Sequence, residues 1–89
     1  MIERALEVSN RLGLHARATA RLVQVLSGFD CEATLSARGR QVNAKSIMGV
    51  MLLAAARGST VVLRVEGKDE VAAADAVTAL FERRFDEDA

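Results

Sequence analysis

The sequence predicts an α+β fold, a two-layer open-faced sandwich with a four-stranded antiparallel sheet and three helices on one face, in the order βαββαβα. Three observations lead there. Segments whose apolar residues fall at every second position alternate with segments whose apolar residues recur every three or four positions. Glycines, in a chain without proline, stand at several of the junctions. Each helical segment carries one apolar stripe and each strand one apolar face, and the two kinds of surface must bury each other.

Met1 to Val8 places Ile2, Leu6 and Val8 on one side with Arg4 among them, the period-2 pattern of a half-buried strand. Ser9 to Leu14 reads as a loop. From Ala16 to Ser27, Ala16, Thr19, Leu22, Val23 and Leu26 fall at helical spacing, and Gly28 supplies a left-handed stop. Cys31, Ala33 and Leu35 alternate with polar neighbours, and a turn at Ala37 to Arg40 returns the chain through Val42 as a hairpin partner. Ser46 caps a short, very apolar helix starting at Ile47 and Met48, with Gly58 where its end should be. Thr60 to Glu66 is a strand with Val61, Leu63 and Val65 on its buried side, and Gly67 and Lys68 turn the chain. Asp69 caps the last helix, whose Val71, Ala74, Val77, Leu80, Phe81 and Phe85 repeat at three- and four-residue spacing. The acidic end, Asp86, Glu87 and Asp88, is expected to be solvated and without chemistry.

Eighty-nine residues, half of them apolar, suffice for a single domain spanning residues 1–89. Twelve basic and twelve acidic side chains cancel, so no global field holds nucleic acid or an anionic membrane, and any charge-dependent function is local. The longest uncharged run, Ser46 to Ala56, is far short of the ~20 residues that span a bilayer, and Glu3 and Arg4 come before any apolar run, so neither a signal peptide nor a membrane helix is expected. Cys31 is the only cysteine, which excludes an internal disulfide and suits the cytoplasm.

His15 is the only histidine, and it stands between a glycine-containing loop and the first turn of a helix bearing Arg17. Helix starts present backbone N–H groups without internal acceptors and partial positive charge, so an anion there is stabilised by the backbone. Arg17 adds a fork of donors suited to phosphate oxygens. A neutral imidazole is nucleophilic near neutral pH, and a phosphoryl group on its ring would face those donors. The residues alone leave open that His15 merely caps or packs beside the helix with Arg17 solvated. A hydrolase would need a base and an orienting group besides its nucleophile, and zinc would need more nitrogen or sulfur ligands than one histidine and one cysteine supply.

Gly13-Leu14-His15-Ala16-Arg17 resembles the active-site motif of the HPr family, the phosphocarriers of the bacterial phosphotransferase system. Lys45-Ser46-Ile47-Met48-Gly49-Val50-Met51 is similar to the regulatory-serine segment of that family, and the spacing of the two motifs, the chain length and the element order agree with it. The resemblance implies that phospho-enzyme I transfers a phosphoryl group to Nδ1 of His15, that Arg17 neutralises it, and that an enzyme IIA domain receives it. It implies a monomeric carrier rather than an enzyme with its own turnover, without cofactor or metal. Ala18 departs from the proline usual in the family, which predicts a slightly looser helix start.

Ser46 is fully explained as a helix N-cap; the resemblance adds phosphorylation by an HPr kinase/phosphorylase as a second role. Ile47, Met48 and Met51 admit two readings, a docking patch beside His15 or one face of a buried helix, and the resemblance favours docking. The ending Phe85-Asp86-Glu87-Asp88 resembles nitrogen-branch carriers, whereas the Ser46 segment resembles the sugar branch. A ferredoxin-like RNA-binding module shares the βαββαβ order, but Phe29, Phe81 and Phe85 lie on no expected strand, where base stacking would need them.

Overall fold

Alternation along Thr60–Glu66 makes this segment a strand with one face to bury, and the chain builds its sheet around it. The computed structural model describes residues 1–87 and has β1 (Ile2–Glu7), α1 (Ala16–Ser27), β2 (Glu32–Ala37), β3 (Arg40–Asn43), α2 (Ile47–Leu53), β4 (Thr60–Glu66) and α3 (Glu70–Glu82), followed by a 3₁₀ turn at Arg84–Asp86. The strands lie in the order β1-β4-β2-β3, every neighbouring pair antiparallel. Leu63 of β4 stands opposite Arg4 on one side and Leu35 on the other. Val61, Leu63 and Val65 face the core while Arg64 and Glu66 face away, so the helices cover one side of the sheet and the other stays open.

Ala18, Leu22 and Leu26, four residues apart, line the inner side of α1, and all three are buried. They meet Val50 and Leu53 of α2, Val77 and Leu80 of α3, and Leu35 and Leu63 of the sheet in one apolar cluster. Burying each large aliphatic side chain contributes about 1.5–3 kcal/mol. Thr19 is also fully buried, and its hydroxyl donates to the Leu14 carbonyl at 3.2 Å.

Five boundary or packing expectations are corrected. Gly28 ends α1 in the right-handed region (φ −80°), not left-handed, because its N–H donates back to the Val25 carbonyl at 3.2 Å and keeps the last turn closed. Val8 lies just past β1, although it remains buried. The second helix stops at Leu53, not Gly58, because Ala54 turns left-handed (φ 51°) and Ala55 is buried to accept the Leu14 N–H at 2.9 Å. Arg38 and Arg40 supply the missing cap by donating to the carbonyls of Leu53 (2.9 Å) and Leu52 (3.0 Å). Val71 is 59% exposed, and the inner stripe of α3 runs instead through Ala73, Ala74, Val77, Leu80 and Phe81. Asp69 sits at the start of α3 without a capping bond, because its carboxylate accepts the Asp30 N–H at 2.7 Å.

Leu22→Ala is expected to lower the unfolding free energy by about 2–5 kcal/mol, since the cavity lies at the meeting point of three helices and the sheet. Leu52→Ala, at a side chain 63% exposed, is expected to stay within about 0.5 kcal/mol of the parent. Urea unfolding of the two variants checks both; equal losses would contradict this placement of the core.

Candidate functional site

The loop between β1 and α1 is held from beneath. Asn10 is fully buried, and its amide donates to the Gly13 carbonyl at 2.7 Å. Gly13 adopts φ +67° with its backbone against Ala55, where a Cβ would lie 2.8 Å from the Ala55 carbonyl oxygen. Only glycine fits both the conformation and the space. Leu14, buried, continues the contact through its bond to Ala55. The chain is thereby delivered to His15 in an extended conformation as the N-cap of α1.

The first backbone bond of α1 runs from the Thr19 N–H to the His15 carbonyl at 2.9 Å, so the N–H groups of Ala16, Arg17 and Ala18 have no acceptor within the helix. The Arg17 N–H donates instead to Nδ1 of His15, at 3.3 Å. An N–H can only donate, so Nδ1 presents its lone pair and the ring proton belongs on Nε2. The imidazole is 28% exposed, in a cleft lined by Leu12, Arg17, Ala18, Phe85, Asp86 and Glu87. Arg17 is exposed, and its guanidinium has no hydrogen-bond or ion-pair partner among the described residues.

Glu87, half-buried in that cleft, corrects the expectation of a solvated tail, whereas Asp86 is exposed as expected; Asp88 lies outside the described residues. The helical repeat was expected to reach Phe85, but α3 ends at Glu82 and Arg84, Phe85 and Asp86 all take positive φ (55°, 57° and 56°). This left-handed turn buries Phe85 against Phe81, with ring centroids 4.8 Å apart. Asp86 pairs with Arg21 at 3.2 Å and Arg83 at 3.0 Å. Glu87 then reaches the ring: one carboxylate oxygen accepts from the Leu12 N–H (3.1 Å), the other from the Asn10 amide (3.0 Å) and from Nε2 of His15 (3.2 Å). Only the large apolar Phe85 beyond the arginines hints in the sequence that the chain returns to the core there.

Ser46 caps α2 as expected, its hydroxyl accepting the Gly49 N–H at 3.1 Å. Val50 and Leu53 point inward, whereas Ile47, Met48, Met51 and Leu52 are exposed, so the helix is not buried all round. α2 packs against α1, but none of these side chains lines the cleft around His15. Among the described residues, no three histidine, cysteine or acidic side chains gather as a metal site, and no helix is long and apolar enough to cross a membrane.

The Glu87 carboxyl is held below the usual carboxylate range, chiefly by the Asn10 amide, with the Leu12 N–H and His15 acting in the same direction against the opposing effect of burial. A carboxyl depressed in the folded state stabilises it above the unfolded-chain value near ~4.3, and this contribution is lost as pH falls through the lower folded value. Glu87→Gln is therefore expected to be less stable than the parent near neutral pH, with the gap closing below about pH 4. Urea unfolding across that range checks this; a gap independent of pH would contradict it.

The family model described as "PTS HPr component phosphorylation site" matches residues 2–83. The phosphocarrier protein HPr of Xylella fastidiosa is 59% identical over 88 residues, covering 99% of both chains. A crystal structure of HPr from Thermoanaerobacter tengcongensis is 42% identical and superimposes with a TM-score of 0.96 over 100% of both chains. An HPr dimer from the same organism matches with a TM-score of 0.79 over 98% of this chain and 100% of that one. With the family motif spanning nearly the whole described fold, and with bacterial relatives matching from end to end, the chain belongs to the HPr family of phosphocarrier proteins of the phosphotransferase system.

Proposed function

We propose that this phosphocarrier accepts a phosphoryl group on Nδ1 of His15 from phospho-enzyme I and passes it to an enzyme IIA component. The observation that carries this reading is the capping contact: Nδ1 presents a lone pair toward the unsatisfied first turn of α1, on a ring open to a partner. Phosphoryl transfer asks mainly for in-line positioning and stabilisation of charge. As Nδ1 attacks, the Arg17 N–H leaves the lone pair and becomes a donor to the phosphoryl oxygens, together with the neighbouring first-turn amides. The Arg17 guanidinium, uncommitted to any described side chain, swings onto the same oxygens. Onward transfer reverses these steps. A carrier that must present one histidine to two partners needs an exposed site, not a deep pocket.

Ser46 is the proposed target of an HPr kinase/phosphorylase. Its hydroxyl sits at the start of α2, where phosphate is tolerated locally. The added charge would oppose partners that present carboxylates to Arg17. Ile47, Met48 and Met51 are proposed to dock both partners, because methionines adapt to more than one apolar surface. The carrier is read as acting in the cytoplasm.

Incubation with enzyme I, magnesium and phosphoenolpyruvate is expected to add one acid-labile phosphoryl group by intact mass, and none to His15→Ala; an adduct on the variant would contradict the assignment. Ser46→Asp and Met48→Ala are each expected to weaken enzyme I binding by roughly threefold or more. Calorimetric titration checks both, and unchanged affinity would remove the corresponding role.

A further inference from the structure

Residues 84–87 lie beyond the stretch matched by the family model, yet they bring a carboxylate onto the ring that the proposed transfer uses. The segment is fastened on both sides of the turn. Phe85 is buried against Phe81, and Asp86 is tied to Arg21 of α1 and to Arg83. Three successive non-glycine residues at positive φ persist only where their surroundings hold them, and strain of this kind collects at functional sites. What the turn delivers is Glu87, with both carboxylate oxygens engaged, one of them on Nε2 of His15. Arg11, Arg57 and Arg84 line the neighbouring cleft, but none of them bonds to Glu87 among the described residues.

Resting on the reading of His15 as the carrier, we propose that Glu87 is its positioning residue: it holds the ring proton on Nε2, leaving Nδ1 as the accepting atom, and balances the charge on the phosphorylated ring. The Arg17 N–H on Nδ1 and the Glu87 carboxylate on Nε2 demand the same tautomer from opposite sides of the imidazole. When the Nδ1 lone pair forms the bond to phosphorus, the bond from phosphorus to the donor breaks and the donor keeps that electron pair. Nε2 keeps its proton throughout, so the ring becomes cationic with Glu87 in contact. In onward transfer the N–P electron pair returns to Nδ1 and the ring is neutral again. No proton has to move in either direction. The Asn10 amide and the Leu12 N–H orient the carboxylate in turn, which gives the buried Asn10 a purpose beyond bracing the loop.

The test is ¹⁵N NMR of the whole protein at about pH 8, where an ordinary imidazole is neutral, comparing the parent with Glu87→Ala and Glu87→Gln. The parent is expected to hold His15 with its proton on Nε2. In Glu87→Ala the Nδ1-protonated form should rise and the Arg17 amide signal should lose its hydrogen-bond shift. Glu87→Gln should keep the parent tautomer, because its amide oxygen accepts the same bond. Both variants should accept phosphoryl from enzyme I more slowly, by roughly three- to tenfold, the effect of one charge-assisted hydrogen bond at a partly exposed site. Asp86→Ala, which unhooks the turn without touching the ring, should shift the tautomer in the same direction as Glu87→Ala. Parent-like tautomer and rate in both Glu87 variants would overturn the proposal. A parent that takes no phosphoryl group, with the tautomer still dependent on Glu87, would overturn the carrier role itself.

Discussion

The site depends on the close approach of Gly13 to Ala55. Gly13, the first residue of the His15 motif, can lie against the chain leaving α2 only because it has no side chain, and the Leu14 N–H then bonds the Ala55 carbonyl. This single crossing joins the loop that ends in His15 to the segment that ends α2. The imidazole is therefore fixed relative to both α1 and α2 by backbone, although its own side chain stays near the surface. Placing a reactive group on a loop braced by rigid elements is a general solution for exposed sites. A Cβ at residue 13 would push that crossing apart and loosen the cap of α1 with it.

Around this crossing, local charges serve where global charge does not. The chain is neutral, and the Arg17 guanidinium remains free of described partners, whereas the side chains of Arg21, Arg38, Arg40 and Arg83 are used in structural contacts. The left-handed turn at Arg84–Asp86 costs about 1–2 kcal/mol for each non-glycine residue, offset by burial of Phe85 and by the contacts of Asp86 and Glu87. Strain is thus concentrated next to the histidine and supported from the core.

Most of the architecture was legible in the sequence because the apolar period switches cleanly between segments. Val61, Leu63 and Val65 marked β4, and the spacing of Leu22 and Leu26 marked α1 with both of its ends. The cap at Ser46 was also readable, since it stands immediately before an apolar helical segment, whereas for His15 capping was one of the readings that the residues left open. The end of α2 was not: a left-handed alanine, Arg38 from the β2–β3 turn and Arg40 at the start of β3 close it, and none of these follows from local composition. Glu87 was missed for a related reason. Its contacts are to Asn10, Leu12 and His15, more than seventy residues earlier in the chain, and an acidic ending reads as a solvated tail unless the turn at Phe85 is known.

If the phosphoryl group resides on one particular ring nitrogen of His15, nitrogen–phosphorus coupling in the phosphorylated, ¹⁵N-labelled protein identifies that atom. Coupling from phosphorus to Nδ1 of His15, with Nε2 still protonated, is the predicted result. Coupling to Nε2, or a phosphoryl group on any other residue, would contradict it.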